Sequence, residues 1–347
     1  MVHRHVTVVI APVGAAAAIC LVLLALSWPT LVAKPRQLAV AITGQPQAVA
    51  PAAAAITARS GDAVDLVPVG DRAAAISAIT QRDVIGAVVL DLARPEVLTA
   101  SAGGSGEQQV MSQLVLGLQQ QLRQQSPRQG SDAAAIPSLT VTDVVPLSAH
   151  DPTGSRLAMA GLPLALGGVV GGALLSSVLS GVRHQLIGLT GYAVLAGLGL
   201  AAILGPWFGA LHGTYVVEAA AIATIMLAVA AVVIGLGRLL GPAGFAVAAA
   251  VFILGATPLS GATVPRDFLP RPLGVVGGWF PQGAGNTLLR DLSYFPDATT
   301  TSSWLVPVGW TAIGVALMLL SLRRAAGRTT ADADGSAPRA SAATAIN

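Results

Sequence analysis

Long apolar runs divide this chain into two kinds of ground. The first run spans Val6 to Ala33; after a long polar interval, five more follow near 157–180, 186–205, 215–236, 243–262 and 303–322. A helix needs about 20 consecutive apolar residues to cross the hydrocarbon core of a bilayer, and each run has that length. The pattern therefore predicts six transmembrane helices. The first run exceeds the roughly 7–15 apolar residues of a cleaved signal peptide, and its end, PTLVAK, puts Leu31 where a cleavage site needs a small residue. It reads as an uncleaved span.

Between the first and second runs the period changes. LAVAITG (38–44), AVDLVPV (63–69), VIGAVVLDL (84–92), EVLTAS (96–101) and LTVTDVVPL (139–147) read as strands. PQAVAPAAAAITARSG reads as a helix ending at a glycine, and DRAAAISAITQRD as a helix capped by Asp71. The helix over 106–125 repeats Val110, Leu114, Leu118 and Leu122 on one face. SPRQGSDAAA is a polar linker. Strands alternating with helices over this length predict one small α/β domain, a mixed sheet with helices on one face.

A third pattern fills the space before the last run. FLPRPLGVVGGWFPQGAGNTLLRDLSYF (268–295) is too apolar for a solvated loop and too broken for a span. It predicts two short helices that dip into the outer leaflet and return. Leu273, Val275, Val276, Trp279 and Phe280 form the first apolar face, and Pro281 makes the break. Leu288, Leu289 and Leu292 form the second, with Arg290 and Asp291 turned to water or headgroups. Trp279, Tyr294 and Phe295 suit the membrane interface, where aromatic rings concentrate. The organisation that results is a first span with a short N-terminus (1–34), an α/β domain (35–155), five spans with the re-entrant segment 264–302 (156–324), and a polar, unstructured tail (325–347).

Composition sharpens this picture. Hydrophobic residues make up 54% of the chain and charged ones only 10%, against about 25% charged in soluble domains, so the whole is an α-helical integral membrane protein. Lys34 is the sole lysine among abundant Ala, Gly and Arg, a bias of GC-rich bacterial genomes that carries no indication of nucleic-acid binding. The short loops SGVRHQ and GLGRLLG and the segment LRRAAGR hold Arg183, Arg238, Arg323, Arg324 and Arg328 without an acid. By the positive-inside rule these face the cytoplasm, which puts both termini inside, the α/β domain outside, and the chain in the plasma membrane. Cys20, alone in an apolar run, excludes an intrachain disulfide and a cysteine zinc site and reads as a buried inert thiol.

Catalytic patterns are missing. A phosphate-binding GxxxxGK[ST] loop needs a lysine, and the sole one, Lys34, stands in no such motif, while GGSGE (103–107) reads as a flexible turn before a helix. His3, His5, His150, His184 and His212 are scattered without metal-ligand spacing, and no GxSxG elbow occurs. The reading is of no enzyme, no cofactor and no metal. Glu218 is the one acid near an apolar core, a candidate intramembrane carboxylate whose simpler reading is an interfacial group in contact with water.

One span, an outer domain and five further spans resemble half of a resistance-nodulation-division exporter, but that family's mid-membrane acids are absent. The chain is more similar to the type-2 ABC-transporter permease family, in the subgroup like the phage-infection-protein membrane family. The resemblance rests on VVPLSAHDPTGSRLAMAGLPLALGG (144–168) and on Leu269–Pro270, Pro281, Gly283–Ala284, Arg290 and Tyr294–Phe295 in the segment before the last span. It implies a membrane subunit that pairs with itself or a similar permease around a pathway and works with a separate cytoplasmic ATPase. It also implies an amphiphilic, lipid-like or drug-like cargo, with Pro270, Trp279, Phe280, Pro281, Gly283, Arg290, Tyr294 and Phe295 as candidate re-entrant or gate elements. Two features depart from the family: only five residues precede the first apolar run, and SGVRHQ is a short loop for an ATPase to engage. They favour an alternative, a non-transporting envelope scaffold or secretion accessory whose α/β domain binds an extracytoplasmic protein.

Overall fold

The computed structural model describes residues 2–91, 95–125, 139–149, 151–262 and 264–335. The SPRQGSDAAA linker, His150 and the last residues of the tail fall outside these. The chain begins with helix α1 (Val2–Val32) and enters an α/β unit made of β1 (Leu38–Gly44), α2 (Pro46–Ser60), β2 (Val64–Pro68), α3 (Arg72–Thr80), β3 (Gly86–Leu90), β4 (Glu96–Thr99), α4 (Ser105–Gln125) and β5 (Thr140–Asp143). Five long helices follow: α5 (Ser155–Val178), α6 (Val182–Trp207), α7 (Tyr215–Leu240), α8 (Pro242–Leu259) and, after two short ones, α11 (Thr301–Gly335). The short pair is α9 (Arg271–Gly278) and α10 (Pro281–Tyr294).

Among the described residues, five helices, α5 to α8 and α11, are long and apolar enough to cross a membrane. In α1 the stretch Ile19–Val32 is apolar but shorter. Helix α7 is the axis of the bundle: its residues from Ala219 to Gly235 are mostly buried, with α5, α6 and α11 packed around it. Small residues bring α5 against it. A Cβ on Gly168 would lie 2.7 Å from Val229, and one on Gly172 would lie 2.9 Å from the carbonyl of Ala230. The small-residue spacing in α5 thus serves packing within the chain. Asp151 starts α5, its carboxylate accepting hydrogen bonds from the amides of Ser155 and Arg156 at 3.1 and 3.0 Å.

The sheet has strand order β2-β1-β3-β4-β5, parallel except for the β3–β4 pair. Helices cover both of its faces, not one. Ala41, Ala87 and Leu98 pack with Ala75 and Ile79 of α3, whereas Val40, Ile42, Val88 and Val97 pack with Ile56 of α2 and Met111 and Leu118 of α4. The central strands are apolar at successive positions, as strands buried on both sides must be. Asp71 caps α3 as expected, its Oδ1 accepting from the amide of Ala74 at 2.7 Å.

Two other expectations are corrected. Cys20 is exposed on α1, whose main contacts with the bundle run along α8. The last helix continues to Gly335, so the segment from Ala325 that reads as unstructured is helical for ten residues or so before the described chain ends. Its Ala- and Arg-rich start, AAGR, prolongs an apolar helix without a proline or a left-handed stop.

Candidate functional site

The predicted break in the 268–295 stretch is present, and local chemistry explains it. Pro270 precedes α9, Trp279 ends it, and Phe280 takes an extended backbone before Pro281, which sits at the first position of α10. At about 12 and 21 Å, neither helix spans a bilayer. They fold back on each other through glycine: a Cβ on Gly283 would stand 2.0 Å from the carbonyl oxygen of Gly277. Trp310 of α11 then clamps the break, its Nε1 donating to the carbonyl of Trp279 at 2.6 Å and its ring stacking on Phe280 at 5.7 Å. Trp279 itself is exposed, as its interfacial reading requires. On the inner side, Gln282 Nε2 donates to the carbonyl of Phe252 at 3.4 Å and Asn286 Nδ2 to that of Ser260 at 3.3 Å, tying α10 to α8.

The far end of α10 does not face water. Asp291 is 4% exposed and Arg290 is largely covered, because the α/β domain sits on them. Arg82, two residues past α3, reaches down to Asp291 with an Nη1–Oδ1 distance of 2.6 Å. Glu107, in the first turn of α4, lies 3.6 Å from Arg82 on its other side. Arg290 reaches up, donating Nη1 to the carbonyls of Ala102 and Gly103 at 3.0 and 2.8 Å. Arg266 donates to Thr287 Oγ1 at 2.7 Å.

Tyr294 and Phe295 are also displaced from the interfacial role. Phe295 is buried in the core of the α/β domain, with the Arg82 guanidinium 5.1 Å above its ring. Tyr294 packs against both that core and the helix bundle, 5.3 Å from the His212 ring. An apolar cluster of Leu38, Val110, Val264, Phe268 and Leu269 completes the seam, and the amide of Lys34 donates to the carbonyl of Phe268 at 2.9 Å.

Backbone strain marks the same seam. Among the described residues, Gln37 and Arg82 are the two non-glycine residues at positive φ, 50° and 61°. Both reach the membrane-side segment, Gln37 through Arg271 and Arg82 through Asp291. Electrostatics explain why the seam holds. Burial pushes the Glu107 carboxyl above its usual range, with Arg82 and Arg290 pulling the other way. Burial lowers the Arg82 pKa, but Glu107 and Asp291 outweigh it and the guanidinium ends above its ordinary value. Two cavities flank Arg82. One of about 520 Å³ opens between the Gly103–Ser105 loop, the start of α5 and the pair Arg266 and Arg290. The other, about 820 Å³, lies between Gln81–Ile85 and the segment beyond Phe295.

Glu218 sits apart from this cluster and is not an interfacial group in water. It is 3% exposed, accepting from the amide of Gly213 at 2.7 Å and from Ser293 Oγ at 2.8 Å. Its carboxylate locks the loop before α7 to the end of α10, a structural use of a buried acid. The residues that sequence reasoning missed are Arg82, Glu107 and Arg266. No signal in the sequence marks them, because each is set by a partner from a distant part of the chain or by a backbone angle that the residue type does not announce.

No protein-family model, no curated protein and no solved structure matches this chain.

Proposed function

We infer that the chain is the membrane permease subunit of an ABC-type exporter, moving an amphiphilic, lipid-like or drug-like substrate outward with a separately encoded ATPase. In this reading α1 is a sixth span, both termini are cytoplasmic, and the α/β domain lies outside the plasma membrane. The observation that carries it is the clasp: a domain inserted between the first two long helices grips, through Arg82 and Arg290, the helix pair leading into the last one. Any rearrangement of the spans would move that pair, and the outer domain with it. Two copies, or one copy and a similar permease, would line the pathway.

One observation favours a second reading, the non-transporting envelope scaffold that binds an extracytoplasmic protein. Only Leu179–Gly181 separate α5 from α6, and Gly241 alone separates α7 from α8. These turns offer a cytoplasmic ATPase little to push.

Two unique residues test the topology, and vesicles test the transport. Cys20 should resist a membrane-impermeant thiol reagent in intact cells and react in detergent, while Lys34 should be labelled by an impermeant amine reagent from outside. Labelling of Cys20 in intact cells would remove the first span. Inverted vesicles should accumulate a fluorescent lipid analogue only with ATP and only when the chain is present. Equal accumulation without the chain rules out export and leaves the scaffold.

A further inference from the structure

The 520 Å³ cavity is polar at its floor and opens beside an apolar helix face, and the two together are informative. Its walls carry Arg82, Arg266 and Arg290 against Glu107 and Asp267. Arg82 is engaged by Glu107 and Asp291. The other two guanidinium groups are bound to neutral oxygens only: Arg266 to the Thr287 hydroxyl, Arg290 to the carbonyls of Ala102 and Gly103. Among the described residues, neither has a carboxylate within 4.0 Å. A guanidinium has five donors, so these contacts leave N–H groups free for an anion.

Both arginines line the cavity. Glycine lets the backbone pass close to them without displacing them: a Cβ on Gly104 would fall 3.1 Å from Arg290 Nη1, and one on Gly278 would fall 2.3 Å from Arg266 Nη1. GGSGE, which reads from sequence as a mere turn, forms this wall and begins the 21-residue α4. The first amides of that helix add positive potential at the same end. Of the two acids, Asp267 is exposed to solvent, and Glu107 is directed at Arg82.

Below the cavity, α5 presents a continuous exposed ridge of Met159, Leu162, Leu166, Val170, Leu174 and Val178, spaced three or four residues apart. Met159 belongs to both the ridge and the cavity lip. From Met159 to Val170 the ridge runs roughly 16 Å, about one leaflet of a ~30 Å hydrocarbon core. A soluble anion has no use for this ridge, whereas an acyl chain fits its length.

We propose that this cavity binds the phosphate-bearing head of an anionic membrane amphiphile, on Arg266 and Arg290, with its hydrocarbon chain lying along the outer half of α5. The site rests on the membrane embedding of α5 and stands whether or not the chain exports what it binds. Failure of ATP-dependent accumulation in vesicles would therefore leave it untouched.

The test uses the full chain, purified in a neutral detergent and titrated with phosphatidylglycerol, phosphatidylcholine or inorganic phosphate. Lipid retained by the intact protein is read by mass spectrometry, and the unfolding midpoint is followed in parallel. Phosphatidylglycerol should be retained and raise the midpoint, and the other two should do neither. Arg266→Gln should weaken retention about tenfold, the loss of one charge-assisted contact. Thr153→Asp, which adds a negative charge at the exposed cavity rim without touching either arginine, should do the same and serves if the first variant fails to fold. Equal retention of the two lipids, or retention unchanged in Thr153→Asp, overturns the proposal. Displacement of phosphatidylglycerol by inorganic phosphate at matching concentrations would make this a site for a soluble anion and also overturns it.

Discussion

Arg82 occupies the position after a helix end that glycine usually fills, and holds φ at 61° to do so. A left-handed backbone costs an L-residue about 1 kcal/mol or more. What the strain secures is the 2.6 Å contact with Asp291, a carboxylate otherwise buried beneath the α/β domain. Two variants separate the two effects. Arg82→Ala loses the cation and keeps the strain; Arg82→Gly loses the cation and relieves it. Both should unfold more easily than the wild type, by about 2–3 kcal/mol, a figure kept low because Arg82 remains partly solvated. The glycine variant should be the more stable of the pair by about 1 kcal/mol. Denaturant unfolding of the purified chain measures both differences. Equal stability of the two variants would mean that the helix end carries no strain. Nothing in the string TQRDV marks Arg82 as a ligand for a carboxylate more than two hundred residues away. Arg290 is different: its place in the segment before the last span was legible, but its direction was not, because the domain that covers it comes from a distant part of the chain.

Among the elements, the long helices were readable because their apolar runs exceed anything a loop or strand can contain, and α5 to α8 and α11 lie where hydropathy puts them. The strands of the α/β domain were equally plain. The sheet's two covered faces were legible as well, in the unbroken apolar runs LAVAI and GAVVL. A strand wet on one side would alternate, but the expectation of helices on one face passed over that signal. The helix pair α9–α10 was legible only in part. Proline announces the break, yet its tightness comes from Gly277 and Gly283, which in a glycine-rich run have no distinguishing mark. This makes opposite demands on two neighbouring residues. Pro281 stands at the first helical position, where its missing amide costs nothing, so Pro281→Ala should lower stability by about 1 kcal/mol or less. Gly283→Ala would drive a methyl group to 2.0 Å from a carbonyl oxygen of the facing helix, and nothing there is a flexible side-chain end. It should cost about 3 kcal/mol or more and loosen the Trp310–Trp279 hydrogen bond, seen as a shift in tryptophan emission. A Gly283→Ala protein with native emission and stability would contradict the close approach of the two helices.

At the scale of the molecule, the α/β domain and the helix bundle share side chains in place of a linker. Phe295 ends α10 inside the domain's core, Tyr294 belongs to both cores, and Arg290 hangs from the Ala102–Gly103 carbonyls. Such sharing couples local openings: a segment cannot loosen on one side of the seam while its partner stays closed. Arg290→Gln removes the charged donor while keeping a side chain that still reaches outward. In hydrogen–deuterium exchange of the full chain, amides in the 100–108 segment should speed up together with those at the C-terminal end of α10. The second half of α7, whose residues Val229–Ile234 pack in clusters that contain no residue of α10, should keep its protection. The rates on the two sides of the seam should rise by similar factors, because one opening exposes both. Faster exchange confined to the outer loop would mean that the contact merely decorates a domain already free to move. A rise in that half of α7 would instead signal general unfolding. Coupled opening on both sides, with the second half of α7 unchanged, is the behaviour through which a change in the long helices reaches the α/β domain.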